Sequence, residues 1–268
     1  MTRPYAEVIG DPIAQSKSPA IHNFWLERLG IDAEYRACHV TTEGLADYVA
    51  ERRGDPQWRG CNVTMPHKQA VMALIDAIDP QAARVGAVNT VVSVAGQGLT
   101  GFNTDVAGFL EPLGGRPFDC VSVIGAGGAA RAILAALADR GTRWVSLQNR
   151  SIAKGEALLA EFGLAGCVVE PGAEVPTAEL LVNTSSLGMA GFPPLPAVEA
   201  FVMDGGTVYD IVTTPLETDL IRRARARGLA TIDGLAMLIG QAAAAFEKFF
   251  GQPAPRGHDA ELRALLTR

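Results

Sequence analysis

Residues 121–141 read VSVIGAGGAARAILAALADRG, and this stretch decides the fold of the second half of the chain. An apolar strand runs directly into a glycine-rich turn, and a helical pattern begins there. Gly125 permits the tight turn, Gly127 lets the backbone approach a pyrophosphate, and small Ala130 allows the helix to pack closely on the strand. The helix N-terminus offers unpaired N–H groups and a positive dipole end to phosphates. The sequence therefore predicts a dinucleotide site whose turn contains Gly125, Ala126, Gly127, Gly128 and Ala129.

A glycine-rich turn without any ligand is the alternative, because the bare GxGxxG spacing is a weak signal. The end of the next predicted strand adds a second observation, the sequence LQNRSIAK at 147–154. An NAD site usually carries an acidic residue there, whereas this chain has Asn149, Arg150, Ser151 and Lys154. Arg150 can be a solvated charge, but a cation in the first turn of a helix opposes the helix dipole. A 2′-phosphate partner explains it better, and the predicted cofactor is NADP.

Outward from this turn, short apolar runs alternate with helical patterns, which is typical of an α/β protein. The predicted strands are 5–10, 33–40, 60–65, an edge hairpin within 87–103, 120–125, 144–149, 166–170, 179–185, 207–212 and 230–233. The predicted helices are 18–30, 42–53, 67–78, 128–140, 151–162 and 234–250, with Ser18 as the N-cap of the first. LGGRPFD at 113–119 places a boundary near 105–118. Two α/β domains with a cleft between them are expected, and ligands favour such clefts.

Composition excludes several classes of protein. The chain has 268 residues, 48% of them hydrophobic and 19% charged, with a net charge of −6. The acidic balance argues against nucleic acid or an anionic membrane as the main partner, and RRARAR at 222–227 fits a solvated helix face. Four scattered cysteines lack metal-ligand spacing and predict reduced, mostly buried thiols, so no metal is expected. No apolar run reaches about 18 residues. We expect a cytoplasmic protein.

The first half supplies candidates for the proton that must accompany a hydride. GCNVTMPHK at 60–68 places Lys68 at the end of a strand, at the start of helix 67–78, and GFNTD places Asp105 just before the boundary. Asn89 lies between them in sequence. A Lys68–Asp105 pair can hold the lysine while it exchanges a proton with a substrate hydroxyl, and a surface salt bridge is the alternative. His67 and His22 are further acid–base candidates, although His22 lies on a helix where packing is the more ordinary role.

Eight motifs occur in one order along the chain: SKSPAIHN, NVTMPHK, GAVNT, GFNTD, GAGGAAR, NRSIAK, NTSSLGM and DGLAMLIGQAAAAF. In this order the chain resembles the shikimate dehydrogenases over essentially its whole length. The resemblance implies reversible, NADP-linked reduction of 3-dehydroshikimate to shikimate, a step in making aromatic amino acids. It also implies a substrate domain of residues 1–105, joined by C-terminal helices 237–268, and an NADP-binding domain of residues 106–236.

The resemblance assigns the site residue by residue. Lys68 and Asp105 become the catalytic pair, and Gly234 lies beside the nicotinamide. The implied substrate residues are Ser16, Ser18, Thr64, Lys68, Asn89, Asp105, Thr213 and Gln241. Short hydroxyl and amide side chains of this kind suit a small polyol carboxylate. Each has a structural alternative: Ser18 as an N-cap, Asn89 as a turn former, Gln241 as a polar residue on an alanine-rich helix.

The match to the family departs from its pattern in YDIVTTP at 209–215. Thr213 stands where the family usually has a substrate-contacting tyrosine, and Ile211 stands where a methionine is often found near the nicotinamide. Val106 and Ser151 replace a common glycine and a common threonine. The shorter Thr213 leaves open an enzyme for quinate or an amino-substituted shikimate analogue. A non-catalytic ligand sensor is the rival from another class, and a monomer or a homodimer is expected.

Overall fold

The computed structural model describes residues 3–94 and 96–267 and contains helices and strands in alternation. Up to residue 110 the elements are β1 Tyr5–Gly10, α1 Ser18–Leu29, β2 Glu34–His39, α2 Leu45–Arg53, β3 Trp58–Val63, β4 Ala77–Ile78, α3 Pro80–Val85, β5 Thr90–Val94, β6 Gly98–Phe102 and α4 Asp105–Leu110. The remainder are β7 Cys120–Ile124, α5 Gly128–Asp139, β8 Trp144–Gln148, α6 Ile152–Phe162, β9 Gly166–Val169, β10 Ala178–Asn183, β11 Val202–Asp210, α7 Asp219–Ala226, β12 Ala230–Ile232, α8 Gly234–Phe250 and α9 Asp259–Leu266.

These elements form two compact units. Unit 1 contains residues 1–108 and 239–268, and unit 2 contains residues 109–238. Each unit has its own six-stranded sheet. The predicted α/β class with two sheets is confirmed.

The sheet of unit 1 is mixed, with the strand order β2-β1-β3-β5-β6-β4. β1 pairs in parallel with β2 and β3, so the carboxyl ends of these three strands lie at one edge of the sheet. β5 and β6 pair antiparallel, which confirms the predicted hairpin. The outermost strand on this side of the sheet is the two-residue β4, which pairs in parallel with Thr100 and Gly101 of β6.

The predicted helix 67–78 is also wrong. Only a 3-10 turn at Ala70–Ala73 forms there, followed by β4. Backbone pairing with β6 accounts for the difference, because the N–H of Asp76 donates to the carbonyl of Leu99 at 2.9 Å and that of Asp79 to the carbonyl of Gly101 at 2.9 Å. These bonds to a distant strand hold the chain extended where a helix would need local bonds.

The sheet of unit 2 is parallel throughout, with the order β12-β11-β10-β7-β8-β9. Counted from β7, this is the 3-2-1-4-5-6 order of the dinucleotide-binding fold, with β7 and β10 at its centre. α5 is buried along its apolar face, where Ala130, Ile133 and Leu134 are fully buried. The order places the glycine-rich turn at the carboxyl end of a central strand.

The four cysteines are free thiols. Cys61 is buried, whereas Cys38, Cys120 and Cys167 are only half-buried, so the prediction of mostly buried thiols is wrong. Cys38 and Cys167 lie on the edge strands β2 and β9, and Cys120 is the first residue of β7. An edge strand or a strand end has neighbours on fewer sides than a central strand.

Candidate active site and nucleotide-binding turn

Lys68 and Asp105 form an ion pair in unit 1. The Lys68 Nζ and Asp105 Oδ2 atoms are 2.6 Å apart, and the side chains are only 16% and 8% exposed. Lys68 lies in the turn after β3, where its carbonyl accepts a hydrogen bond from the Val88 N–H at 2.8 Å. Asp105 is the first residue of α4 rather than the end of a strand. The exposed surface salt bridge considered from the sequence does not describe this pair, because both groups are largely withdrawn from water.

Asn89 holds the other oxygen of Asp105. Its Nδ2 donates to Asp105 Oδ1 at 2.9 Å and to Thr104 Oγ1 at 3.0 Å. Its Oδ1 accepts from the Thr104 N–H at 2.7 Å and from the Thr90 hydroxyl at 3.0 Å. A carboxamide has two donor hydrogens and two acceptor lone pairs, so these four bonds use its full capacity. Buried Asn89 therefore fixes the carboxylate that faces Lys68.

Gln241 joins the same network through Thr104. The Thr104 hydroxyl lies 3.4 Å from Gln241 Oε1, and both residues are buried. Gln241 lies on α8, about 140 positions further along the chain, yet in the same unit as Lys68. Thr104 was not among the predicted site residues. Its place between Asn103 and Asp105 in the GFNTD motif was the available signal.

Ser16, Ser18 and Thr64 lie at the carboxyl-end edge of β1 and β3. Ser16 is on the loop after β1, and Thr64 directly follows β3. The Asp11 N–H donates to the Met65 carbonyl at 3.0 Å and ties the loop to the turn. The prediction of Ser18 as an N-cap is wrong: Lys17 holds that position with helical backbone, and the Ser18 N–H donates instead to Ser16 Oγ at 3.3 Å.

Neither His67 nor His22 is placed to exchange protons with solvent. His67 is fully buried, and its Nε2 donates to the Val40 carbonyl at 2.7 Å. His22 is also fully buried and stacks on Tyr35 with ring centroids 4.0 Å apart. Burial lowers the pKa of His22 to about 3. The predicted packing role of His22 agrees with this environment, and His67 braces the turn that carries Lys68.

In unit 2 the glycine-rich turn has the shape that phosphate binding requires. Gly125 has φ +100°, and a Cβ there would lie 2.9 Å from Thr184 Oγ1, so only glycine fits without strain. Gly127 is exposed, and a Cβ built on it would meet no atom within 4 Å. It is the N-cap of α5, and no side chain caps that end. The backbone N–H groups of Ala126, Gly128 and Ala129 therefore lie at or next to an uncapped helix N-terminus. Such a terminus suits the negative charge of a pyrophosphate.

The four polar residues after β8 lie at the start of α6. Ser151 is the N-cap, accepting from the Lys154 N–H at 3.4 Å, and the Asn149 side chain donates to the Ser151 carbonyl at 2.8 Å. Arg150 and Lys154 are exposed. Within the part of the chain that the structure describes, no carboxylate forms an ion pair with either cation. Two unpaired cations at one helix start fit a phosphate group.

Ile211, Thr213 and Gly234 lie together in unit 2. Ile211 and Thr213 are half-buried and follow β11 directly. Gly234 begins α8, and a Cβ added there would collide with the carbonyl oxygens of Ile211 and Val212. The close packing of these backbones thus requires glycine at position 234 for steric reasons alone, independently of any contact with a cofactor.

A buried carboxylate fixes the segment that carries Thr213. Asp210 accepts from Asn183 Nδ2 at 2.9 Å, from the Thr218 hydroxyl at 2.6 Å and from the Val212 N–H at 3.1 Å. Desolvation raises the pKa of Asp210, and the three hydrogen bonds oppose that shift. The backbone around Ile211 and Thr213 is therefore held from within the unit.

Metal-binding clusters and membrane-spanning helices are both absent from the described residues. No group of His, Cys, Asp or Glu side chains within 3–94 and 96–267 is arranged to hold a metal ion. No helix in those ranges has the length and apolarity needed to cross a membrane.

Comparison with known proteins gives the family. A curated shikimate dehydrogenase (NADP(+)) from Sphingopyxis alaskensis is 57% identical over 269 residues, covering 98% of this chain and 97% of the relative. The chain belongs to the shikimate dehydrogenase family. The resemblance seen in the motifs is confirmed. The family models for the shikimate dehydrogenase substrate binding domain and the shikimate 5′-dehydrogenase C-terminal domain match residues 8–91 and 234–260.

The solved structures that resemble this chain include proteins named for two different activities, shikimate dehydrogenase and quinate dehydrogenase. The Thermus thermophilus shikimate 5-dehydrogenase, in complex with NADP(H) and shikimate, has 38% identity and a TM-score of 0.85, covering 98% of this chain and 99% of that chain. The Corynebacterium glutamicum quinate dehydrogenase, in complex with NAD, has 30% identity and a TM-score of 0.86, covering 98% and 99%. The shikimate dehydrogenase family model at 8–91 contains Ser16, Ser18, Thr64, Lys68 and Asn89.

Proposed function

We propose that this protein is an NADP-dependent shikimate dehydrogenase that interconverts 3-dehydroshikimate and shikimate in aromatic amino-acid biosynthesis. The observation that carries the proposal is the partly buried Lys68–Asp105 ion pair, whose carboxylate is fixed by Asn89. The 57% identity to a curated shikimate dehydrogenase over nearly the whole chain supports it. Residues 1–105 and 237–268 would form the substrate domain, and residues 106–236 the NADP-binding domain.

The proposed chemistry is transfer of a hydride and a proton. NADPH, when bound, supplies the hydride that adds to the ketone carbon. The Lys68 ammonium donates a proton to the ketone oxygen as negative charge develops there, and the neutral amine then recovers a proton from solvent. Asp105 keeps the ammonium in place through its Oδ2. In the reverse direction the Lys68 amine takes the hydroxyl proton, and the carbon gives its hydride to NADP⁺, which would be the acceptor when bound.

Substrate recognition is assigned to short polar side chains of unit 1. Ser16, Ser18 and Thr64 lie at one sheet edge, where hydroxyl groups suit a carboxylate and a polyol ring. Gln241 and Asn89 add amide groups. Because Asn89 uses all four of its hydrogen bonds inside the protein, we assign it first to holding Asp105 and second to any substrate contact. Thr213 is assigned to substrate recognition from its position in the family pattern.

The cofactor is assigned from unit 2. The open turn at Gly125, Ala126, Gly127, Gly128 and Ala129 would receive the pyrophosphate at the α5 N-terminus. Arg150 and Lys154 would bind the 2′-phosphate that distinguishes NADP from NAD, with Asn149 and Ser151 shaping that loop. Ile211 and Gly234 are assigned to the nicotinamide end.

The test is a spectrophotometric assay with four combinations: shikimate or quinate as substrate, and NADP or NAD as cofactor. We expect the highest kcat/KM with shikimate and NADP. Rapid turnover of quinate without turnover of shikimate would overturn the proposal. Binding of NADP or shikimate by calorimetry with no turnover of either substrate would identify the non-catalytic sensor instead, although a sensor has no need of the Lys68–Asp105 pair.

A quinate-type or amino-shikimate-type enzyme is the second candidate, and Thr213 is the observation that favours it. A threonine is several ångströms shorter than the tyrosine usual in the family, which would leave room for a bulkier ring substituent. The quinate dehydrogenase of similar fold shows that the architecture accommodates that activity. A Thr213→Tyr variant should lower the quinate-to-shikimate ratio of kcat/KM. An unchanged ratio would remove Thr213 from substrate selection.

We also propose a cytoplasmic location and a monomer or homodimer that acts on small molecules only. The net charge of −6 and the proposed use of NADP support this assignment. Light scattering coupled to size-exclusion chromatography would determine the oligomeric state.

A further inference from the structure

A line of buried hydrogen bonds continues from Asp105 into the interior of unit 1. The Tyr35 hydroxyl lies 2.6 Å from Asn62 Oδ1, and Asn62 Nδ2 lies 3.0 Å from Thr90 Oγ1. Thr90 Oγ1 lies 3.0 Å from Asn89 Oδ1, and Asn89 Nδ2 lies 2.9 Å from Asp105 Oδ1. We call Tyr35, Asn62 and Thr90 the buried relay. The three residues are 1%, 5% and 0% exposed, so the relay is withdrawn from any substrate.

Chemistry fixes the direction of every bond in this line. Asn62 Oδ1 can only accept, so the Tyr35 hydroxyl donates to it. Burial raises the pKa of Tyr35 well above its ordinary value, which keeps the phenol protonated. Asn62 Nδ2 can only donate, so Thr90 Oγ1 accepts and its single proton is left for Asn89 Oδ1. All donors therefore point the same way, and bonds aligned in this manner polarise one another favourably.

The relay and the Thr104 N–H together determine which end of the Asn89 amide faces the carboxylate. With its oxygen on the Thr90 hydroxyl and the Thr104 N–H, Asn89 must present Nδ2 to Asp105. A reversed amide would place its oxygen against the carboxylate and its NH2 against two donors, leaving buried groups unpaired. Asp105 Oδ1 is thereby held by Asn89, and Oδ2 is left for Lys68.

We propose that Tyr35, Asn62 and Thr90 are positioning residues for catalysis: the buried relay orients Asn89, which sets the rotation of Asp105 and thus the position of the Lys68 ammonium. This inference rests on the proposed function of the Lys68–Asp105 pair. Loss of the Thr90 hydroxyl removes a hydrogen bond from Asn89 Oδ1 and leaves the amide less firmly held, so proton transfer slows while NADP binding on unit 2 is unaffected.

The test compares three variants of the full chain: Thr90→Val, Thr90→Ser and Thr100→Val. Val keeps the shape of Thr but removes the hydroxyl, and Ser keeps the hydroxyl. Thr100 is the matched control, because it is a buried threonine of the same hairpin whose hydroxyl has no hydrogen-bond partner among the described residues. We expect Thr90→Val to lower kcat on the order of tenfold with KM for NADP unchanged. Thr90→Ser restores the rate, and Thr100→Val leaves it unchanged.

The solvent isotope effect on kcat separates positioning from general loss of structure. It does not depend on the fraction of active enzyme, and it rises in Thr90→Val if proton transfer has become slower. Equal losses of kcat in Thr90→Val and Thr100→Val, with an unchanged isotope effect, would overturn the proposal. A kcat equal to that of the wild type in Thr90→Val would also overturn the proposal. Tyr35→Phe, at the far end of the relay, should change kcat and the isotope effect in the same direction by less.

A readout without turnover keeps the inference testable if the proposed function fails. Failure of the function would appear as an inactive wild-type protein with shikimate and quinate alike. Side-chain amide NMR then reports the relay directly: the Asn89 Nδ2 hydrogens should exchange slowly with water in the wild type and faster in Thr90→Val. Equal exchange in both proteins would show that Thr90 does not fix Asn89.

Discussion

The two candidate sites of this protein are built from different materials. In unit 1 the catalytic candidates are side chains bonded to one another, and Lys68, Asp105, Asn89 and Gln241 form one buried network with Thr104. In unit 2 the nucleotide candidates are a bare backbone turn at Gly127 and exposed, unpaired cations. The first site is organised before any ligand arrives, whereas the second offers groups that are still open to solvent.

Because of this difference, we expect the two sites to control different kinetic quantities, the catalytic rate in unit 1 and the cofactor affinity in unit 2. Groups held by buried hydrogen bonds keep the same geometry through a reaction, which is what electrostatic and acid–base catalysis requires. Exposed cations and free N–H groups gain their partners only when an anion binds. Substitutions in unit 1 should therefore act mainly on kcat, and substitutions in unit 2 mainly on the binding of the cofactor.

The largest effect is expected for Lys68→Ala. Removal of the proton donor should lower kcat by about 100- to 10,000-fold, while shikimate still binds, as measured by steady-state kinetics and calorimetry. Lys248→Ala is the control, because Lys248 is an exposed lysine of the same unit that lies over the Phe102 ring. A wild-type kcat in Lys68→Ala would show that the ion pair is structural. The proposed difference between a rate-determining site in unit 1 and an affinity-determining site in unit 2 would then be wrong.

Arg150→Gln should act on cofactor affinity. A charged hydrogen bond to the 2′-phosphate contributes enough that its loss should raise KM for NADP about 10- to 100-fold. The KM for NAD, which lacks that phosphate, should stay nearly constant. Arg143→Gln, at an exposed arginine of the same unit paired with Asp119, should change neither value. Equal losses for NADP and NAD would show that Arg150 does not read the 2′-phosphate.

His22→Phe tests how closed the interior of unit 1 is. Because the pKa of His22 is about 3 in the folded protein and about 6.5 unfolded, the unfolded state takes up the proton first as pH falls. Stability is fully present above about pH 6.5 and is lost progressively between there and pH 3. From pH 7 to pH 5 the wild type should lose about 2 kcal/mol more than His22→Phe in urea unfolding. Parallel pH profiles for the two proteins would mean that water reaches the ring.

The smallest effect on folding is expected for Gly127→Ala. The added methyl group enters open space, so the free energy of unfolding should change by less than about 1 kcal/mol, the usual cost of alanine at an N-cap. NADP affinity should still fall, because the methyl group lies where the pyrophosphate would approach. Unchanged NADP affinity by fluorescence titration would place the phosphates elsewhere.

The sequence predicted the parts of the fold that depend on local signals. The strand–turn–helix at 120–140 carries its own glycines and its own apolar periodicity, and the structure reproduces it closely. Helix 67–78 failed because its fate depends on β6, more than twenty residues later, whose carbonyls take the N–H groups of Asp76 and Asp79. No periodicity within 67–78 contains that information.

The same distinction applies to the candidate site. Lys68 and Asp105 could be nominated from residue type and from their place beside strands, and the structure joins them. For Thr104 the one signal was its place in the GFNTD motif. Thr90 and Asn62 could not be nominated, because a threonine or asparagine in a strand becomes important only through a distant partner, and these two residues are 28 positions apart. Sequence patterns do not predict hydrogen bonds between distant parts of a chain.

The chain order of unit 1 also bears on how the protein folds as it is synthesised. Residues 109–238 form an insertion that interrupts unit 1, whose last part is residues 239–268. The aromatic rings of Phe246 and Phe249, which pack around His22, are therefore synthesised only after the whole of unit 2. Unit 2 can fold on a growing chain as soon as its own strands have emerged, whereas the earlier-made β1–β3 region lacks part of its apolar cover until the residues after unit 2 have been synthesised.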